Sequence, residues 1–100
     1  MVVVFDAELW TWDARRGDSW TFVSLPAEES ETIRDMTEGI RRGFGSLRVR
    51  ARIGATTWTT SIFPGKGREA YVMPVKRAVR RAQGLDQGDS TTVEVELLDL

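Results

Sequence analysis

The chain has 100 residues, of which 41% are apolar and 29% are charged, a composition typical of one soluble globular domain. It contains no cysteine and no histidine, which excludes disulfides, thiolate or imidazole metal sites, cysteine nucleophiles and triads with an imidazole base. No segment approaches the roughly 18 apolar residues of a membrane span. The start, Met1–Phe5, lacks the basic region of a signal peptide, so we expect a cytoplasmic protein with no membrane partner.

The net charge of −1 conceals an uneven distribution of charge along the chain. Residues 1–40 carry nine acidic side chains against three arginines, and residues 82–100 carry five acidic side chains and no basic one. Between them, residues 41–81 carry eleven basic side chains and one glutamate, a net charge of +10. Because adjacent strands favour opposite charges, internal neutralisation is the first interpretation. The alternative is a basic face that attracts an anion or a nucleic acid.

The N-terminal part of the chain predicts a β-hairpin followed by a helix. Val2–Trp12 and Ser19–Leu25 both alternate between two kinds of side chain, and residues 13–18 between them have turn composition. These two runs are typical of a hairpin. Pro26 ends the second run, and the glutamates that follow favour a short helix that stops near Gly39. Its buried stripe would comprise Ile33, Met36, Thr37 and Ile40.

The centre of the chain carries the clearest strand pattern. Ser46–Ile53 is predicted to be a strand, followed by a turn at Gly54–Thr56, a second strand over Thr57–Phe63 and a loop over Pro64–Gly67. The apolar side chains on one face of the first strand are Leu47, Val49, Ala51 and Ile53. The opposite face carries Arg48, Arg50 and Arg52.

The C-terminal part predicts a second helix between two strands. Tyr71–Met73 is a very short strand, Pro74 fits the first turn of the helix, Gly84 fits its end, and Thr91–Leu98 is the last strand. The expected buried stripe of the helix is Val75, Ala78, Val79 and Ala82. About six strands and two short helices predict a single mainly β domain over residues 1–100, a small barrel or split barrel.

Several segments together form a signature that covers nearly the whole chain. They are Gly45–Val49, Ile53–Pro64, Tyr71–Arg80, Gly84-Leu85 and Gly88-Asp89, with Phe5 and Trp20–Pro26 before them. These segments resemble the family called domain of unknown function 1905. The resemblance implies a double-split β-barrel, a fold also used by AbrB-type transcription regulators. It implies no activity, because the family has none assigned and a fold does not fix a function.

Arginines supply the first candidate site. Guanidinium groups in a row on a strand, or along a helix, can bind phosphates. The predicted nucleic-acid contacts are Arg48, Arg50, Arg52, Arg77 and Arg81. The alternative for the strand row is pairing with acidic residues of neighbouring strands, since an unpaired row of like charge is costly on a sheet. Those acids would be Glu94 and Glu96, or Asp6 and Glu8.

The role of Trp58 depends on the length of the turn before it. A three-residue turn would place Trp58 opposite Arg52, on the arginine face, where its ring could stack on a base or an aromatic ligand. A two- or four-residue turn would place it opposite Ile53 in the core. The mixture of residues around it favours the core.

A second candidate site would take a small anionic or aromatic ligand. Hydroxyl groups beside a glycine loop, a phenol and nearby cations can together bind an oxyanion. The predicted ligand-binding residues are Trp58, Thr60, Ser61, Lys66, Tyr71, Lys76 and Arg80. The same residues are also ordinary strand, core and helix-surface residues. Trp10 and Trp12, which share a strand face, could line a pocket between sheet and helix, form an oligomer interface, or fill the core.

These observations favour a binding module over an enzyme. No paired-carboxylate motif is visible, and the turn at Asp86–Asp89 lacks the acidic pattern of a calcium loop, so no metal or cofactor is expected. The preferred function is binding of an anionic or aromatic small molecule. The alternatives are a nucleic-acid-binding protein that uses the basic strand and helix, and a structural domain that forms a homodimer.

Overall fold

The computed structural model describes residues 1–13, 19–39, 45–65 and 70–98, which form seven strands and two helices. The strands are β1 (Val2–Glu8), β2 (Trp10–Asp13), β3 (Ser19–Ser24), β4 (Leu47–Ile53), β5 (Thr56–Pro64), β6 (Tyr71–Pro74) and β7 (Ser90–Leu97). The helices are α1 (Ala27–Met36) and α2 (Arg77–Gln83). The strands form one antiparallel sheet in the order β1-β7-β4-β5-β6-β3-β2, curled into a half-barrel. The predicted mainly β, barrel-like class is confirmed, with seven strands in place of about six.

Some predicted features lie outside the described residues. They are most of the turn before β3, Ile40 of the first helical stripe, and Lys66 and Gly67 of the central loop.

The predicted first strand is in fact two strands, because the chain changes partners at Leu9. Before Leu9, β1 pairs with β7, and after it β2 pairs with β3. The Leu9 N–H donates to the carbonyl of Asp89 at 2.9 Å, and the Leu9 carbonyl accepts from the N–H of Gly88 at 2.8 Å. The turn before β7 therefore holds both backbone groups of Leu9. The predicted hairpin is right for β2 and β3 and wrong for β1.

The register between β4 and β5 is fixed by a two-residue turn at Gly54–Ala55. Along β4 the four apolar side chains are buried and the three arginines are exposed, as predicted. The turn places Trp58 opposite Ala51, on the inner face. The core position of Trp58 is confirmed, although its partner is Ala51 and not Ile53. The last two residues of β5 extend beyond β4 and pair with β6, so β5 joins the two halves of the sheet.

Helix α1 packs against the start of β6. Ser30, Ile33 and Thr37 are buried, and the Ser30 hydroxyl accepts a hydrogen bond from the N–H of Tyr71 at 3.0 Å. Met36, which the sequence places in the buried stripe, is exposed. The helix presents positions three and four residues apart to the sheet, and that row passes through Ser30 and not through Met36.

Helix α2 begins at Arg77, later than the predicted start at Pro74. Pro74 is the last residue of β6 and lies opposite Phe22 in β3. The next N–H, that of Val75, donates to the carbonyl of Thr21 at 2.8 Å. This pairing with β3 keeps the chain extended past Pro74, where the local sequence would also permit a helix to begin.

Helix α2 lies on the surface and buries one side chain, Val79. Ala78 and Ala82, both expected in its buried stripe, are exposed. Gly84 ends the helix in the left-handed region at φ 64°, as predicted, and the N–H of Leu85 donates to the carbonyl of Arg80 at 2.9 Å. The basic side chains of α2 therefore stand on an exposed helix.

The core lies on the inner face of the sheet, and Ile33 of α1 is part of it. Its largest fully buried side chains in the described ranges are Tyr71, Leu9, Leu25, Ile33, Leu47, Ile53, Ile62 and Met73. Burying one such aliphatic side chain contributes about 1.5–3 kcal/mol. Neither of the two described helices has the length and apolar character needed to cross a bilayer.

Replacing Gly54 by alanine tests the turn that sets the β4–β5 register. Gly54 has φ +57°, and a Cβ there would overlap the side-chain amide of Gln83, which donates to the Thr56 hydroxyl at 2.8 Å. Gly84 has φ +64° with open space around its Cβ position. We expect Gly84→Ala to lower the free energy of unfolding by about 1 kcal/mol through backbone strain alone. Gly54→Ala should lower it by about 2 kcal/mol, because the Gln83 hydrogen bond is also disturbed.

Urea unfolding measures both variants, and a Gln83→Ala background is the control. In that background the two glycine substitutions should become equally destabilising. Equal losses in the native background would mean that the Gln83 side chain moves aside freely and does not constrain the turn.

Candidate functional site

The arginines of β4 are interleaved with glutamates of β7. In the antiparallel register Arg50 lies opposite Glu96, and Arg52 lies opposite Glu94. Arg50 Nη1 is 2.7 Å from Glu96 Oε1, and Arg52 Nε donates to the carbonyl of Gly54 at 3.0 Å. Both members of the ion pair are about half exposed, so its contribution to stability is below about 1 kcal/mol. This face of the sheet carries both signs of charge, which favours the pairing interpretation over a phosphate-binding row.

The hydroxyl residues of β5 are divided between the two faces of the sheet. Thr60 lies on the inner face with Trp58, whereas Ser61 lies on the outer face opposite Arg48. Lys66, the cation expected beside them, lies outside the described residues. The structure therefore does not bring the predicted β5 residues together on one surface.

Two predicted ligand-binding side chains are core residues with an unpaired polar atom. Tyr71 is 0% exposed and Trp58 is 8% exposed. Over the described ranges, neither the Tyr71 hydroxyl nor Trp58 Nε1 has a hydrogen-bond partner. The Arg34 guanidinium carbon lies 5.8 Å from the centre of the Tyr71 ring. An unpaired buried donor costs about 1–3 kcal/mol, and a ligand resting on the surface does not contact either atom.

Lys76 and Arg80 meet an aromatic ring that the sequence-based site omitted. Between the β2–β3 hairpin and α2 lies a groove of about 150 Å³, termed here the hairpin–helix groove. Its lining residues are Trp20, Thr21, Pro74, Val75, Lys76 and Arg80. The groove therefore combines an indole, an ammonium and a guanidinium group.

Backbone contacts bring the walls of this groove together. The hydrogen bond from Val75 to Thr21 ties the segment before α2 to β3. Arg80 Nε then donates to the carbonyl of Val75 at 3.0 Å, which fixes the guanidinium beside the groove. Lys76 immediately precedes the first turn of α2 and is exposed. The two cations thus approach Trp20 because β6 and α2 are joined by a short extended segment.

A second groove, of about 340 Å³, lies along α2 and shares Arg80 with the first. Its lining residues are Arg77, Arg80, Arg81, Gly84, Leu85 and Asp86. The predicted nucleic-acid residues of the helix thus adjoin the predicted ligand residues. We refer to Lys76, Arg77, Arg80 and Arg81 as the α2 basic cluster. Within the described part of the chain, no member of this cluster forms an ion pair.

The outer face of the β2–β3 hairpin is aromatic. Trp10 lies opposite Phe22 and Trp12 lies opposite Trp20, so all four rings share one side; this set is termed the aromatic face. The Trp10 and Phe22 rings stack with centroids 5.0 Å apart, and the Trp20 and Phe22 rings with centroids 6.4 Å apart. Trp12 and Trp20 are 57% and 56% exposed. The alternation of side chains along β2 and β3 is enough to identify this face from the sequence. It gives no information about how close the face lies to α2.

Acidic side chains gather at a different place, beside α1. A groove of about 470 Å³ there is lined by Met1, Glu28, Glu29, Glu31, Thr32 and Asp35. Across residues 1–13, 19–39, 45–65 and 70–98, acidic side chains do not gather in groups of three or more that could hold a metal ion. The surface is therefore divided into an acidic side at α1 and a basic side at α2.

Tyr71→Phe should stabilise the protein. The substitution removes a buried hydroxyl that has no partner among the described residues and keeps the ring, so we expect the free energy of unfolding to rise by about 1 kcal/mol. For a domain of this size the Tm should rise by roughly 4–8 °C, which calorimetry measures. Thr37→Val is the matched control, because the buried Thr37 hydroxyl does donate, to the carbonyl of Ile33 at 2.7 Å, and its loss should lower the Tm. A lower Tm for Tyr71→Phe would mean that the phenol is paired in the folded protein.

Comparison with known proteins agrees with the resemblance seen in the sequence. A family model for a domain of unknown function, DUF1905, matches residues 5–95. No curated protein matches the chain. The matched segment includes the β2–β3 hairpin, α2 and both grooves that adjoin Arg80. The chain belongs to the DUF1905 family.

Proposed function

We propose that the protein is a binding module for a small anionic molecule that carries an aromatic ring, and that the hairpin–helix groove is its site. The observation that carries this proposal is the convergence of Trp20, Lys76 and Arg80 on one groove. An exposed indole offers a stacking surface for a planar ring. The adjacent ammonium and guanidinium groups favour a phosphate or a carboxylate, which the guanidinium can bind through two parallel hydrogen bonds.

The charges in the groove support this proposal. Neither Lys76 nor Arg80 forms an ion pair with any described residue, whereas Arg50 on β4 is already paired with Glu96. The lining of the groove contains two cations and no carboxylate. An anion placed there gains from both charges without displacing a protein partner.

The shape and chemistry of the groove favour binding over catalysis. Its volume of about 150 Å³ is smaller than the roughly 300–1,000 Å³ of enclosed ligand pockets, so the ring of the ligand would rest on an open surface. The lining has no carboxylate, imidazole or thiol that could act as a general base or nucleophile. We therefore expect modest affinity, roughly micromolar or weaker, and no turnover.

Titration with adenosine 5′-monophosphate tests the proposal, because this probe joins a heteroaromatic ring to a phosphate. Adenosine supplies the heteroaromatic ring alone, and inorganic phosphate supplies the anion alone. We expect the nucleotide to bind at least about tenfold more tightly than either half, since ring and anion then act together. Proton–nitrogen correlation spectra follow the indole N–H of Trp20 and the backbone amides near Lys76, which should shift together.

Variants assign the binding to the groove. Arg80→Gln and Trp20→Ala should each weaken the nucleotide by roughly tenfold. Arg52→Gln is the matched control, because it removes the same charge from β4, which does not line the groove, and should leave the affinity unchanged. Equal affinity for all three probes, or an equal loss in Arg52→Gln and Arg80→Gln, would refute the proposed site.

A further inference from the structure

We infer that the ligand of this surface is a single-stranded nucleic acid, whose bases stack on the aromatic face while its phosphates lie along the α2 basic cluster. The inference rests on the proposed function, since the hairpin–helix groove would hold one nucleotide of the strand. It extends that function to the rings and cations beyond the groove.

The aromatic surface continues past the groove toward the edge of the sheet. Trp20 belongs both to the groove and to the aromatic face, and Trp12 lies directly opposite it on the edge strand β2. Both rings are more than half exposed. Every base has a flat face, so two exposed indoles side by side form a platform that accepts consecutive bases of any sequence.

The cations also continue past the groove. Arg80 lines both grooves, Lys76 precedes α2, and Arg77 and Arg81 line the second groove. At 1.5 Å per residue, the five steps from Lys76 to Arg81 extend these charges over roughly 7–8 Å. Aromatic rings beside a row of cations are the combination by which proteins hold single strands without reading their sequence.

The remainder of the surface offers a polyanion no comparable track among the described residues. Arg50 and Arg52 on β4 stand opposite Glu96 and Glu94, and the groove beside α1 is acidic. A duplex is also the poorer fit, because its bases are already stacked on one another and cannot cover the exposed indoles. Charge and ring exposure together favour an unpaired strand over a duplex.

Fluorescence anisotropy with labelled oligothymidylate of about ten nucleotides tests the inference, since single-strand sites span roughly 4–16 nucleotides. We expect this probe to bind at least about tenfold more tightly than adenosine 5′-monophosphate. Contact with four phosphates should weaken it about 50-fold when salt rises from about 50 to 200 mM. The double variant Arg77→Gln, Arg81→Gln should roughly halve the slope of log affinity against log salt.

Trp12 separates the strand from the free nucleotide, because it lies outside the groove. Trp12→Ala should weaken the oligonucleotide by roughly tenfold and leave the nucleotide unchanged. Trp12→Phe, which keeps a ring, should retain most of the affinity. Val4→Ala is the matched control, since Val4 is an exposed apolar residue on β1 at the opposite edge of the sheet.

Each contrary outcome has a distinct meaning. If the oligonucleotide binds no more tightly than the nucleotide, or Trp12→Ala has no effect, the single-strand inference fails and the groove proposal stands. If neither probe binds, both fail. If a duplex binds as tightly as the single strand, the inference also fails. If light scattering shows a dimer that Trp12→Ala dissociates while oligonucleotide affinity is unchanged, the aromatic face is an interface between copies and the inference is overturned.

Discussion

The backbone of Leu9 is the constraint on which the arrangement of the two sheet halves depends. Its N–H and its carbonyl both bond to the turn at Gly88 and Asp89, so the chain cannot continue beside β7 and passes to β3 instead. Because Leu9 is fully buried, these bonds are shielded from water and from competition by solvent. The change of partner places Trp12 opposite Trp20 and brings the aromatic rings next to α2. One pair of backbone hydrogen bonds thereby determines where the candidate site lies.

Strand order then decides which cations are neutralised. β4 lies between β5 and β7, and the glutamates of β7 project on the same face as the arginines of β4. Helix α2 lies outside the sheet, and among the described residues its cations form no ion pair. The described part of the basic segment, which has a net charge of +10 over residues 41–81, therefore separates into a strand that faces acidic residues and a helix without an ion pair to any described residue. The net charge of the segment could not show which cations would be paired, because pairing depends on which strands become neighbours.

The parts of the fold that were predictable are those decided by local pattern. The alternation of apolar and charged side chains predicted both faces of β4. The end of α2 was predictable because Gly84 can adopt the left-handed conformation. Prediction failed where a distant partner decided the outcome. Alternation runs through Leu9 without a break, and Pro74 suits a helix start as well as the strand end that pairing with β3 imposes.

The candidate site was predictable to the same extent. Lys76 and Arg80 were identifiable from the helix, but their contact with a ring of the hairpin is a tertiary contact. Burial of Tyr71 was equally invisible in residue type, since tyrosine is as common in cores as at binding sites.

Arg80 is ordered before any ligand arrives. An arginine side chain carries about 2 kcal/mol of rotamer entropy, which a free surface arginine loses when it clasps an anion. In this protein the hydrogen bond from Arg80 Nε to the carbonyl of Val75 restricts those torsions already during folding. The rotamer entropy is therefore lost on folding and not on binding, so a larger part of the electrostatic attraction contributes to the affinity for the anion. A lysine at this position would carry the same charge, yet it could not make an Nε–H contact of this geometry. An anion would associate with that lysine at a similar rate and dissociate from it faster.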